Sequence, residues 1–166
     1  MDNIFIESGY NFDFTNSLKS YKADSVQYHD LSAVDFVVET EDKVFLIEVK
    51  NPDCKQAKPQ NRKEFFDDLW SDLYPLKAGA KFTNMLLRKW VAGDFYGKPI
   101  VFVFILEFKN FPLFMRRKLK EKIFNRLPFT LNKPSFKGKE HLEKFELLSI
   151  EEFTKLYPQF YVREVE

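Results

Sequence analysis

Between Val34 and Asn51 the chain reads VDFVVETEDKVFLIEVKN, with apolar runs at Val34–Val38 and Val44–Val49 on either side of a polar stretch, Glu39–Lys43. That pattern predicts two paired strands, at least one of them deeply buried. Side chains alternate across a strand, so Glu48 and Lys50 must share a face with Leu46, while Phe45, Ile47 and Val49 point the other way. The turn decides where Asp35 falls. A two-residue turn at Glu41–Asp42 sets Asp35 across from Glu48, and a four-residue turn sets it across from Lys50. Every even-numbered turn brings the three charged groups to one face; an odd turn without a bulge sends Asp35 to the other.

The pattern continues on both sides of this hairpin. Residues 3–6 (NIFI) fit a short strand or the end of a helix, and Thr15–Ala23 reads as a short helix burying Leu18 and Tyr21. Ser25–Tyr28 reads as a strand start, with Tyr28–Ser32 leading into the hairpin. After Lys50, Asn51–Pro52 stops the strand and Asp53–Asn61 is a polar loop. Phe66, Leu69, Trp70 and Leu73 recur at helical spacing within Arg62–Tyr74, and Pro75 interrupts the pattern. A second helix is predicted over Leu76–Val91, with Phe82, Met85, Leu86 and Trp90 as its apolar stripe and Gly93 as its stop. Lys98–Glu107 is a continuous apolar strand of the kind buried on both faces. Phe111–Leu127 is a basic amphipathic helix, with Met115, Leu119, Ile123 and Leu127 on one side and Pro128 at its end. Phe145–Leu148 is a short strand, followed by a helix opened by Ser149 and Glu152 as a capping box. The order predicts an α/β domain, a central mixed β-sheet flanked by helices.

At 166 residues the chain suits one domain, 1–166. Its formal net charge of +1 is unevenly spread: residues 1–50 hold 4 Lys+Arg and 10 Asp+Glu, net −6, and the remainder is net +7. An acidic half facing a basic half suits a polyanion handled through a metal. A single cysteine, Cys54, excludes an internal disulfide framework and a cysteine-rich zinc site. The opening MDNIFIESGY has no secretory pattern, and the longest apolar run, Ile100–Leu106, is too short to span a bilayer. The expectation is a cytoplasmic protein with no membrane partner.

Two carboxylates brought together repel unless something positive lies between them. A hard divalent cation with oxygen ligands meets that need, and Lys50 supplies the next positive charge. His29 and His141 share no ligand spacing, and Cys54 has no catalytic companion. Trp70 and Trp90 are read as core residues. Lys58, Arg62 and Lys63 follow the site closely and are candidate phosphate contacts. Arg88, Lys89 and the run Arg116–Lys122 are candidates for a surface that tracks a nucleic-acid backbone.

Asp35, then Glu48-Val49-Lys50 thirteen positions on in a second strand, then a helix and a buried strand, resembles the PD-(D/E)xK nuclease superfamily over about residues 25–107. Val34 stands where that superfamily often has Pro. The resemblance implies a restriction-endonuclease-like core with residues 108–166 as a C-terminal helical and strand extension. It implies that Asp35 and Glu48 bind Mg²⁺ or Mn²⁺, helped by the main-chain carbonyl of Val49, and that Lys50 positions the attacking water. An upstream acidic ligand is also common in the superfamily; Glu7 is the first choice here, with Asp24 and Asp30 behind it. The expected activity is metal-dependent hydrolysis of phosphodiester bonds, in DNA by preference, by a homodimer or a subunit of a larger complex. The alternative is an inactive module of the same fold that binds nucleic acid or a protein partner.

Overall fold

The computed structural model describes residues 3–25, 31–55, 58–94, 96–129 and 141–165. Five strands form the central sheet in the order β3(Lys19–Lys22), β4(Phe36–Glu39), β5(Val44–Lys50), β6(Ile100–Leu106), β7(Leu142–Leu148). The pairs β3/β4 and β4/β5 are antiparallel; β5/β6 and β6/β7 are parallel. It is a mixed sheet in an α/β domain. Central β6 (IVFVFIL) is buried throughout, as an uninterrupted apolar run requires.

Alternation along the strands builds two cores. Val37, Leu46, Phe102, Phe104 and Leu147 face Phe82 and Met85 of α2(Leu73–Val91) and Leu119 and Ile123 of α3(Leu113–Phe124). α1(Pro59–Trp70) joins this layer through Leu69. On the opposite face, Phe36, Phe45, Ile47 and Val103 pack on Phe12, Phe14, Phe153 and Phe160. That second layer is α4(Ile150–Leu156) together with a small antiparallel sheet, β1(Ile4–Glu7), β2(Tyr10–Asp13) and β8(Tyr161–Glu164), in the order β1-β2-β8. Much of the chain's phenylalanine is spent here; Phe12 and Phe36 lie 5.1 Å apart between ring centroids. α4 begins at the expected capping box, Ser149 with Glu152. Among the described residues no helix is long and apolar enough to cross a membrane.

Several expectations give way. Thr15–Ala23 is not a helix. Ser17 closes a turn on the Phe14 carbonyl, β3 follows, and Leu18 is 62% exposed rather than buried. The helix over 62–74 begins earlier, at Pro59, which shortens the polar loop after β5. It ends at Trp70, and Pro75 does not interrupt anything. The break falls at Ser71–Asp72, and Pro75 sits in the first turn of α2, where the missing N–H has no intrahelical partner to lose. Trp90 is 65% exposed on α2, so it is not a core residue. The Trp70 side chain, His29, Asp30, the proposed strand after Ser25 and the Lys- and Pro-containing loop at 130–140 lie outside the described residues.

At Gly79, helix α2 passes close to Arg126, in the turn that follows α3. A Cβ there would lie 2.9 Å from Arg126 Cβ and 3.2 Å from its carbonyl oxygen. Helix propensity alone favours alanine by about 1 kcal/mol, but neither neighbour is the free end of a flexible chain. Gly79→Ala is therefore expected to lower stability by about 1–2 kcal/mol in chemical denaturation; a stabilised variant would show that α2 and the Arg126 turn separate without cost.

Candidate functional site

The β4/β5 register decides what the sequence left open. Phe36 pairs with Ile47 and Glu39 with Val44, and the Thr40 N–H bonds the Lys43 carbonyl at 2.9 Å. This is the two-residue turn, and its continuation sets Asp35 across from Glu48. The antiparallel ladder alternates, so the next hydrogen-bonded pair would be Val34 with Val49. The chain bends at Asp35 instead, and the Asp35 carboxylate takes the Val49 N–H at 2.6 Å. Carbonyl and N–H of one residue point the same way from a strand, so the Val49 carbonyl is also aimed at the side where Asp35 lies. The Asp35 main-chain oxygen accepts from Ala23 N–H at 2.8 Å, which holds the bend.

Glu48 is 1% exposed and Asp35 4%. Glu48 Oε1 receives two ammonium groups, Lys50 at 2.8 Å and Lys81 of α2 at 2.6 Å. Its other oxygen, Oε2, is buried without a hydrogen-bond partner among the described residues. Burial, reinforced by the Glu48 charge, lifts the Asp35 carboxyl to about 7, against the pull of Lys50, the Val49 N–H and Lys81. For Lys50, burial works against the ammonium, but Glu48 and Asp35 outweigh it and hold its pKa well above the ordinary lysine value.

The upstream acid comes from a hairpin. β1 and β2 are joined by Ser8 and Gly9, both at positive φ (52° and 84°), the two-residue turn whose twist matches paired strands. Asn51, next after Lys50, donates its side-chain N–H to the Ser8 carbonyl at 3.0 Å and pins that turn beside the end of β5. Glu7 thereby reaches Asp24 and Asp35, and carboxylate oxygens of the three lie within 4.8 Å of one another. Lys22 bonds Glu7 at 2.7 Å, and that bond, with Asp24 and Asp35 nearby, raises the Lys22 pKa. Tyr74 is buried near Glu48 and Asp35, and burial with their charge pushes its hydroxyl well above the ordinary range.

The structure thus brings Asp35, Glu48, Lys50, the Val49 carbonyl and Glu7 to one region, joined by the reserve acid Asp24. The donor set suits a hard divalent cation: all oxygen, with three clustered carboxylates and, interacting with one of them, Asp35, the buried carboxylate of Glu48. The basic residues singled out for nucleic-acid contact behave differently. Lys58 and Lys63 are exposed. Arg62 bonds Asp53 at 3.1 Å and lies over the Phe108 ring. Arg88 donates to the main-chain oxygens of Ala23 and Leu31, tying α2 to the segments on either side of residues 26–30. Lys89 is paired with Asp94, and Arg116 clamps Glu152 and the Leu147 carbonyl. Arg88 and Arg116 are fastened to main-chain atoms of their own fold.

Lys81 and Lys22 are the two site residues that sequence reasoning missed. Lys81 carries a signal of its own. Tyr74, Ala78, Phe82 and Met85 form the buried stripe of α2, and a lysine at position 81 falls on that stripe. A cation on a core-facing helix position needs a buried anion to meet. No protein-family model, no curated protein and no solved structure matches the chain.

Proposed function

We propose that this protein is a metal-dependent phosphodiesterase with a restriction-endonuclease-like core, acting on nucleic acid and on DNA by preference. The observation that carries the reading is the β4/β5 register, which brings Asp35, at the bend just before β4, onto the Val49 N–H beside Glu48, with Lys50 bonded to Glu48. Asp35, Glu48 through its unpartnered oxygen, the Val49 carbonyl and Glu7 are the groups that would hold Mg²⁺ or Mn²⁺. When bound, the cation supplies Lewis acidity to a phosphoryl oxygen and makes water a competent nucleophile near neutral pH. Lys50, permanently protonated beside Glu48, orients that water and offsets charge gathering on the phosphate. Exposed Lys58 and Lys63 on the α1 side meet flanking phosphates and add affinity that falls with salt.

One observation favours a second reading, a module of the same fold that binds without cutting. Glu48 already has two ammonium partners, so its charge is neutralised without any added ion. Two measurements separate the readings. Calorimetric titration with Mn²⁺ is expected to show binding that disappears in Asp35→Ala and Glu48→Ala. A plasmid-nicking assay with Mg²⁺ or Mn²⁺ is expected to show cleavage falling by about 100-fold or more in Lys50→Ala. Cation binding absent from the wild-type protein favours the non-catalytic module, and cleavage undiminished in Lys50→Ala removes Lys50 from the mechanism.

A further inference from the structure

Two lysines from separate elements converge on one oxygen. Lys50 sits two residues from Glu48 on the same strand, so its ammonium is delivered by β5 itself. Lys81 arrives from α2, at 22% side-chain exposure, from a helix position that otherwise belongs to the apolar stripe. One carboxylate needs one cation for neutrality. Here both ammonium groups crowd Oε1 and repel each other, while Oε2 has no hydrogen-bond partner among the described residues. A divalent cation taken up by Asp35 and the Glu48 Oε2 would be a third positive centre on the same carboxylate, and its repulsion favours the departure of one ammonium group from Oε1. Lys50 is tethered to the strand beside Glu48. Lys81 hangs on a long side chain from a helix with solvent on one side, and it can leave.

We infer that Lys81 is a built-in stand-in for the metal: it holds the Glu48 carboxylate in place in the cation-free protein and is displaced when a divalent cation binds. The inference rests on the proposed cation site and adds to it a positioning residue that competes with the ion. Lys81 adds a second positive charge to the one Lys50 already brings to two neighbouring buried carboxylates while the site waits, and it weakens cation affinity in exchange.

The test is Mn²⁺ affinity, followed by calorimetry, in the wild-type protein, Lys81→Met, Lys81→Arg and Lys77→Met. Removing the competitor is expected to tighten Mn²⁺ binding about tenfold in Lys81→Met, whereas Lys81→Arg keeps a competing cation and stays near wild type. Lys77, one turn away and paired with Asp68, reports the general field of a helix lysine; its loss is expected to change affinity less than about twofold. Equal affinity in wild type and Lys81→Met, or equal gains in Lys81→Met and Lys77→Met, overturns the inference and leaves the cation site standing. Binding in none of the proteins overturns both. If Lys81→Met does not fold, acylation footprinting of the wild-type protein decides. Mn²⁺ should raise the reactivity of Lys81 about threefold or more while exposed Lys118 stays unchanged, and an unaltered Lys81 sinks the idea.

Discussion

Asp35→Asn is expected to be more stable than the wild-type protein at about pH 8, by on the order of 4 kcal/mol, and unable to bind a divalent cation. The reason is burial. The Asp35 carboxyl is lifted from 3.8 to about 7 because its charged form is desolvated and faces Glu48. Its pKa is raised on folding, so the folded chain holds a proton that the unfolded chain has lost between about pH 4 and pH 7. Stability in the absence of metal should therefore fall as pH rises through that window and level off above it. Carboxylates with depressed pKa values, such as Glu146 and Glu152, give the opposite slope, but only where pH falls through the ordinary carboxylate range and below. Asparagine resembles the protonated acid and keeps an oxygen for the Val49 N–H, so it should abolish the decline. Urea denaturation across this pH range, with and without Mg²⁺, checks it. Mg²⁺ should restore stability to the wild-type protein at the upper end and leave Asp35→Asn unmoved, with proton release on binding below about pH 7. A flat wild-type profile, or an asparagine variant no more stable at about pH 8, would falsify the account of Asp35 as a buried, unwillingly charged group.

The core of this arrangement was legible in the residues because strand alternation is rigid. Glu48, Lys50 and Leu46 share a face for the same reason that Phe45, Ile47 and Val49 share the other, and no tertiary contact can change that parity. The position of Asp35 was legible only as a choice between two registers, because VETEDKV admits more than one turn. The N-terminal hairpin was harder. IFIE and YNFD are too short to distinguish from other structure by period, and the Ser8-Gly9 turn between them was the usable cue. Thr15–Ala23 misled because Leu18 and Tyr21 sit three apart, a helical spacing, while their true setting is a turn and an edge strand. Pro75 misled in the opposite direction, since a proline near a helix start is indistinguishable from a break until the start is known. Lys81 could be found only by noticing a charge on an apolar stripe and asking what lies beneath it. The answer, Glu48, is thirty-three residues away and reaches α2 only through the packing of helix on sheet.

Glu48→Gln removes the same charge as Asp35→Asn and is expected to do the reverse: it should destabilise the fold by about 3 kcal/mol at about pH 8. Glu48 is the anion on which Lys50 and Lys81 both depend, and the amide leaves two ammonium groups facing each other over a neutral side chain. Breaking a fully buried pair from one side costs about 3–5 kcal/mol. Lys50, 34% exposed, and Lys81, 22% exposed, can turn partly to water, which sets the expectation at the lower end. The opposite signs distinguish a site of two equivalent carboxylates from one in which Glu48 is satisfied and Asp35 is not. A double variant, Glu48→Gln with Lys81→Met, should recover about 1–2 kcal/mol of the loss, because the second ammonium no longer lacks a partner. Chemical denaturation at constant m-value gives all three numbers. Destabilisation by Asp35→Asn, or a Glu48→Gln protein as stable as wild type, would mean that the lysines are held by something other than the Glu48 charge.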